Sequence, residues 1–221
     1  MNEEQAALIK RIASVVGHEL RNPMAVINNS AYFIKTKLGQ DGKLDPKVEK
    51  HIAIVVSEIG RADKLIADML VYSRVVEAKP AELDLNAVVE AALEDVTVPP
   101  KVKIKKELGK GGVKALADEA MLRDCVRRLL ENALESATDG GTVTLTTSCD
   151  KKEAVISVRD TGAGIKAEIL PHLFEPFRTT KPRGLGLGLA MIKKVLDAQK
   201  GRAEGKNASP GAVFAIYLPK A

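Results

Sequence analysis

The sequence predicts an α+β chain of two parts, a long helical hairpin followed by an α/β sandwich. Three observations carry this. A seam of Val48, Ile52, Val55, Ile59, Ala62, Ile66, Met69, Ser73 and Val76 runs through 46–78 at alternating steps of four and three, the repeat of coiled coils and helical bundles. A second apolar-periodic run occupies 4–38. Beyond Pro80 the period changes, and 142–146 and 154–158 alternate as strands do.

In chain order, Ile9, Ile12, Val16, Leu20, Ile27 and Ile34 mark the first helix. Pro23 lies inside it; its ring removes a bond to the Glu19 carbonyl, so a kink is expected just after His18. Gly39-Gln40-Asp41-Gly42 breaks the helix, and Asp45-Pro46 supplies an N-cap and a first-turn proline for the next. Two helices with one narrow stripe each cannot enclose a core. A homodimer forming a four-helix bundle solves this; the alternative is a monomeric hairpin packed on the rest of the chain. The domains expected are therefore a hairpin at 1–78, a linker at 79–82 and a sandwich at 83–221. Within the last, helices are expected at 86–96, 118–138 and 187–200, and strands at 83–85, 102–107, 113–116, 142–148, 153–159 and 211–218. This order fits a mixed sheet with helices on one face. Residues 161–186, rich in Gly, Pro, Thr and Arg, read as a functional lid.

Composition narrows the function. The 221 residues are 45% hydrophobic and 29% charged but 3% aromatic with no Trp, so the core is aliphatic. The net charge of +5 is spread along the chain rather than clustered, which disfavours a nucleic-acid binder. Cys125 and Cys149 have no metal-ligand spacing and read as two reduced, partly buried thiols, suited to a reducing cytoplasm. No apolar run reaches the roughly 18 residues a membrane span needs. The polar N-terminus is unlike a secretory signal, so a soluble protein, or the cytoplasmic portion of a longer one, is expected.

Two stretches carry chemistry. Gly17-His18-Glu19-Leu20-Arg21-Asn22-Pro23 puts an imidazole on a helix, beside a glycine that costs about 1 kcal/mol there relative to Ala and leaves open space. Asp160-Thr161-Gly162-Ala163-Gly164 and Gly184-Leu185-Gly186-Leu187-Gly188-Leu189 offer a carboxylate after a strand and glycines before a helix start, where backbone N–H groups can cradle phosphates. A nucleophile and a nucleotide pocket together suggest phosphoryl transfer onto His18. His51 and His172 read as ordinary surface residues.

These motifs resemble those of sensor histidine kinases. The first stretch resembles the H-box, Leu129-Leu130-Glu131-Asn132-Ala133 the N-box, and Asp160 to Gly164 the G1 box. Leu173-Phe174-Glu175-Pro176-Phe177 with Thr179-Thr180-Lys181 resembles the F-box and lid, and Gly184 to Leu189 the G2 box. Five motifs in order cover nearly the whole chain. The resemblance implies a dimeric phosphoacceptor hairpin and a Bergerat-type ATP-binding domain. It implies ATP-dependent autophosphorylation of His18, then transfer to an aspartate in the receiver domain of a response regulator. Glu19 would hydrogen-bond the second ring nitrogen and take its proton. Asn22, one turn on, would orient a water for dephosphorylating the regulator. Asn132 would hold Mg²⁺, and Asp160 would accept from the adenine amine. Gly162, Gly164, Gly184, Gly186 and Gly188 would shape the pocket, and Lys181 and Arg183 would add charge near the γ-phosphate. Phe174 and Phe177 would pin the lid to the sheet.

The chain departs from the family pattern at Arg128, where a second Asn is frequent, at Glu135 and Ser136, where Lys and Tyr are, and at Gln199-Lys200-Gly201, where His-Gly-Gly is. Two alternatives follow: a non-catalytic scaffold that binds nucleotide and docks a regulator, and an ATPase clamp related to gyrase. The clamp would have no need of the His-Glu pair.

Overall fold

The structure, a computed structural model, describes residues 3–40, 45–137, 140–150, 152–181 and 185–221, with backbone alone for 3–19 and 39–40. The chain divides into two compact units, Met1–Val75 and Val76–Ala221.

The first unit is a hairpin of α1 (Glu3–Gln40) and α2 (Pro46–Ser73). Helix α1 runs through Pro23 and past the expected break at Gly39; Asp41 and Gly42 lie outside the described residues. Asp45 caps α2 by accepting from the Lys47 N–H at 2.7 Å, with Pro46 opening the first turn. Helix α2 ends at Ser73, five residues short of the expected 78. Arg74 turns extended (φ −74°, ψ 151°), and the β-branched pair Val75-Val76 favours that conformation. Ala31, Ile52 and Ile66 are buried, while Val26, Ile27, Phe33, Ile34, Val48 and Val55 are exposed. One hairpin thus covers only part of its own apolar surface. The cross-helix pairs Arg21–Asp63 (3.6 Å) and Lys35–Glu49 (3.7 Å) are solvated and add little.

The second unit is a two-layer sandwich. Its strands are β1 (Ala81–Asp84), β2 (Lys103–Glu107), β3 (Lys114–Ala117), β4 (Thr142–Cys149), β5 (Glu153–Asp160), β6 (Arg202–Asn207) and β7 (Ala212–Pro219), and its helices are α3 (Leu85–Glu94), α4 (Glu119–Ser136) and α5 (Gly188–Asp197). The main sheet has the order β2-β4-β5-β7-β6, with β2–β4 parallel and the other pairs antiparallel. Strands β1 and β3 form a separate two-stranded ribbon. The expected strands at 83–85 and 113–116 thus leave the main sheet, and 81–82, assigned to the linker, are strand.

Strand β6 was not expected. Its residues, Arg-Ala-Glu-Gly-Lys-Asn, contain one Ala and one Gly on the inner face and otherwise charged or polar side chains, because it is an edge strand with little to bury. Helix α5 closes at Asp197 rather than 200, with Lys200 in a left-handed turn (φ 59°) before β6.

Alternation decides which face is covered. Val143, Leu145 and Thr147 of β4, and Ala154, Ile156, Val158 and Asp160 of β5, point to the buried side. Helix α4 presents Leu122, Cys125, Val126, Leu129, Leu130, Ala133 and Leu134 as its buried stripe. Thr147, inside this core, donates to Asn86 Oδ1 (2.5 Å) and accepts from the Gly109 N–H (2.8 Å), while Asn86 Nδ2 donates to the Gly109 carbonyl (2.9 Å). Asp84 caps α3 and also accepts from the Val113 N–H, tying the ribbon to the helix layer. Near Asp150, a side-chain turn accepting from the Lys152 and Glu153 N–H groups joins β4 to β5 as expected.

The cysteines differ from the expectation of two partly buried thiols. Cys125 is fully buried, and desolvation pushes its thiol up to about 12; Cys149, at the end of β4, is exposed. Under native conditions at pH 8, a thiol-specific disulfide reagent should therefore titrate one thiol per chain quickly and a second after unfolding. Two fast thiols would place Cys125 outside the core.

Candidate functional site

The site is built around the C-terminal half of α4. Asp160 is the last member of the inward row of β5, which leaves a carboxylate 2% exposed among aliphatic side chains. Its Oδ1 accepts from the Gly162 N–H at 2.8 Å, so the chain turns directly over it. Gly162 then packs on the end of α4: a Cβ there would lie 2.5 Å from the Ser136 carbonyl oxygen, a separation no side chain tolerates. Thr161 accepts from the Thr142 N–H at 2.9 Å. Gly164 leads into Ile165, whose N–H donates to Asn207 Oδ1 (2.6 Å) while Asn207 Nδ2 returns to the Ile165 carbonyl (2.9 Å). Asn207, at the end of the unexpected strand β6, is thus the residue that pins this loop.

Asn132 and Glu135 stand one turn apart on α4, beside the buried stripe. Asn132 is half-buried and Glu135 exposed. The Lys181 ammonium joins them, donating to Asn132 Oδ1 at 2.7 Å and to Glu135 Oε2 at 2.5 Å. A carboxamide oxygen aimed at a cation is a donor that suits a hard divalent ion. Arg128, one turn before Asn132, donates to Asp124 Oδ2 at 2.8 Å. Burial alone would raise the Asp124 carboxyl, but hydrogen bonds from Arg128 and Arg127 outweigh it and hold it below the usual range. Arg128 is thereby engaged along its own helix.

The start of α5 offers the complementary polarity. Leu187 occupies the N-cap position, and among the described residues no side chain caps the helix. Gly188, one residue inside the helix expected from 187, is its first residue, and a Cβ there would meet no atom of the described residues within 4 Å. Unfilled space over uncapped N–H groups suits an anion. Gly186 is different: its φ is +67°, and a Cβ would lie 2.4 Å from the Arg178 carbonyl oxygen. Arg183 and Gly184 lie outside the described residues.

The lid is anchored differently from the expectation. Leu173, not Phe177, is buried, and its methyl group would lie 2.8 Å from a Cβ on Gly205 of β6. Phe177 is half-exposed in the left-handed region (φ 62°), and Phe174 is partly buried. His172 Nδ1 lies 2.9 Å from Glu175 Oε1, a hydrogen bond that lowers the Glu175 carboxyl. His51 is exposed. Gln199 is 3% exposed; its Oε1 accepts from the Asp118 N–H at 2.5 Å and its Nε2 donates to the Val195 carbonyl at 3.2 Å. Asp118 in turn caps α4 through the Met121 N–H.

In the first unit, His18 and Glu19 lie on α1, and their side chains fall outside the described residues. Asn22 is exposed on the same helix.

Two family models match the chain. The family described as the His Kinase A (phospho-acceptor) domain matches residues 8–77. The family described as histidine kinase-, DNA gyrase B- and HSP90-like ATPase matches 117–221. The chain is similar to signal transduction histidine-protein kinase AtoS of Escherichia coli, 28% identical over 98% of this chain and 36% of AtoS. It is similar to sensor histidine kinase TrcS of Mycobacterium tuberculosis, 33% identical over 96% of this chain and 44% of TrcS. Among solved structures, histidine kinase ThkA in complex with response regulator protein TrrA matches at a TM-score of 0.74 and 25% identity, over 99% of this chain and 64% of that one. The chain thus spans 36% to 50% of the length of AtoS and two sporulation kinases of Bacillus subtilis. The phospho-acceptor match over the hairpin separates it from clamp ATPases that share only the second family, and the tandem order of the two matches shows that the chain belongs to the sensor histidine kinases of two-component systems.

Proposed function

We propose that this chain binds ATP, phosphorylates itself on His18 and passes the phosphoryl group to an aspartate of a response regulator. The observation that carries this is the convergence on the end of α4: Gly162 of the Asp160 turn against Ser136, and Lys181 against Asn132. The buried Asp160 carboxylate is the acceptor for the adenine amine, in the loop shaped by Gly162 and Gly164. The start of α5 at Gly186 and Gly188, with Gly184 before it, faces the phosphates, and Lys181 and Arg183 supply positive charge. Asn132 would hold Mg²⁺, which when bound neutralises phosphate oxygens. A neutral His18 attacks the γ-phosphorus through one ring nitrogen, the bond to the ADP oxygen breaks, and Glu19 accepts the proton from the other nitrogen. Asn22 orients water for hydrolysis of the regulator's phosphoaspartate.

The proposed assembly is a homodimer, supported by the apolar residues of α1 and α2 that one hairpin leaves uncovered. A cytoplasmic setting accords with the two free thiols. No described helix is long and apolar enough to cross a membrane. The scaffold reading gains no support from the site, since His18, Asn132 and Asp160 are all present.

Incubation with γ-labelled ATP tests the proposal. The full chain should incorporate an acid-labile, base-stable label, and His18→Gln should abolish it while nucleotide binding persists. A label that survives acid or the substitution refutes the assignment.

The two polar neighbours of His18 should divide two reactions. Glu19→Ala should slow autophosphorylation by about 10²–10⁴-fold, the range of general-base contributions. Asn22→Ala should largely spare autophosphorylation and reduce dephosphorylation of the phospho-regulator. Timed assays of both reactions decide this; equal damage to both by both variants points instead to distortion of the helix beside Pro23.

The glycines at the start of α5 should separate stability from binding. Gly186→Ala forces a positive φ and a backbone clash, and should lower Tm by several degrees. Gly188→Ala enters open space and should leave Tm unchanged, yet weaken ATP binding about ten-fold by crowding the charge-assisted bonds of the helix start. Thermal melts and calorimetric titration distinguish the two.

A further inference from the structure

We infer that Glu135 is a positioning residue for the lid: its carboxylate holds the Lys181 ammonium on the Asn132 oxygen, so the lysine sits where a divalent cation binds until Mg²⁺ and ATP displace it. The inference rests on the proposed role of Asn132.

The geometry is specific. One ammonium bridges Asn132 Oδ1 at 2.7 Å and Glu135 Oε2 at 2.5 Å, across 49 and 46 positions of sequence. The lid is shaped to deliver it: the Lys181 N–H donates to Thr179 Oγ1 at 3.0 Å, and Gly186 packs on the Arg178 carbonyl. Glu135 is an exposed residue with no part in the buried stripe of α4, so packing gives no reason for a carboxylate there. An ammonium and a divalent cation cannot share the Asn132 oxygen, because like charges at contact repel strongly. Cation binding therefore expels Lys181 from that oxygen and frees it for the phosphate anions. The pair is 47% and 64% exposed, so solvent screens it and the latch is weak. A weak latch is what reversible exchange requires. Glu135 thus biases the nucleotide-free lid without blocking substrate.

The test uses the full chain without nucleotide. A short pulse of an amine-acylating reagent is read by mass spectrometry at each lysine, with exposed Lys101 as internal reference. Glu135→Gln should raise acylation of Lys181 several-fold and leave Lys101 unchanged. Because the latch no longer opposes binding, the same variant should bind ATP with Mg²⁺ about two- to five-fold more tightly by calorimetry, the range an exposed pair allows. Unchanged Lys181 acylation overturns the inference, as does weaker binding, which would make Glu135 a contributor to nucleotide binding instead. Asn132→Ala separates the layers. It should abolish Mg²⁺-dependent ATP binding; if it does and Lys181 acylation is insensitive to Glu135→Gln, the inference alone fails. If Asn132→Ala binds as the unsubstituted chain does, the role of Asn132 fails and the inference with it.

Discussion

The apolar stripe of α4 is the constraint on which the nucleotide-binding unit depends. Leu122, Cys125, Val126, Leu129, Leu130, Ala133 and Leu134 lie against the sheet and fix the rotation of the helix about its axis. Once that rotation is set, Asn132 and Glu135 must lie at the margin of the stripe, where one is half-buried and the other exposed. Burial of each of these leucines is worth on the order of 1.5–3 kcal/mol. That exceeds anything the polar margin can contribute, so packing positions the chemistry rather than the reverse.

The same logic runs through β5. A period of two sends Ala154, Ile156, Val158 and Asp160 to one side, and three aliphatic residues force the fourth position inward. A carboxylate in such a place needs partners, and the turn to Gly162 provides one. The tight turn brings the loop onto Ser136, which closes the circle back to α4. Two hydrophobic periodicities, 3.6 and 2, thus converge on one polar locus.

This explains what was legible in the sequence. The helices and the β4–β5 hairpin follow from periodicity and turn residues, which are local signals; Asp160 stood out by the glycines that follow it, and Asn132 by the resemblance of its motif. Strand β6 was not legible because an edge strand buries one Ala and one Gly and shows no apolar alternation. The separation of β1 and β3 from the main sheet is a matter of pairing, which sequence patterns do not record. Leu173 and Gln199 escaped for a related reason: their partners, Gly205 and Asp118, are distant in sequence. The contact between Lys181 and Glu135 is likewise long-range, although each residue lay within a recognisable motif.

An open sheet has two rims, and here both are ionic. Strand β2 carries Lys103, Lys105, Lys106 and Glu107 on one rim, and β6 carries Arg202, Glu204 and Lys206 on the other. Arg202 is engaged further, with Glu153 and over the Tyr217 ring. For another chain to add to either rim, it would have to strip water from a row of charges before gaining main-chain hydrogen bonds. Rim-to-rim stacking into fibrils is therefore disfavoured at the very edges that a five-stranded sheet cannot close. The strand least visible to hydrophobic pattern is thus one of the two charged edges that oppose the addition of another strand.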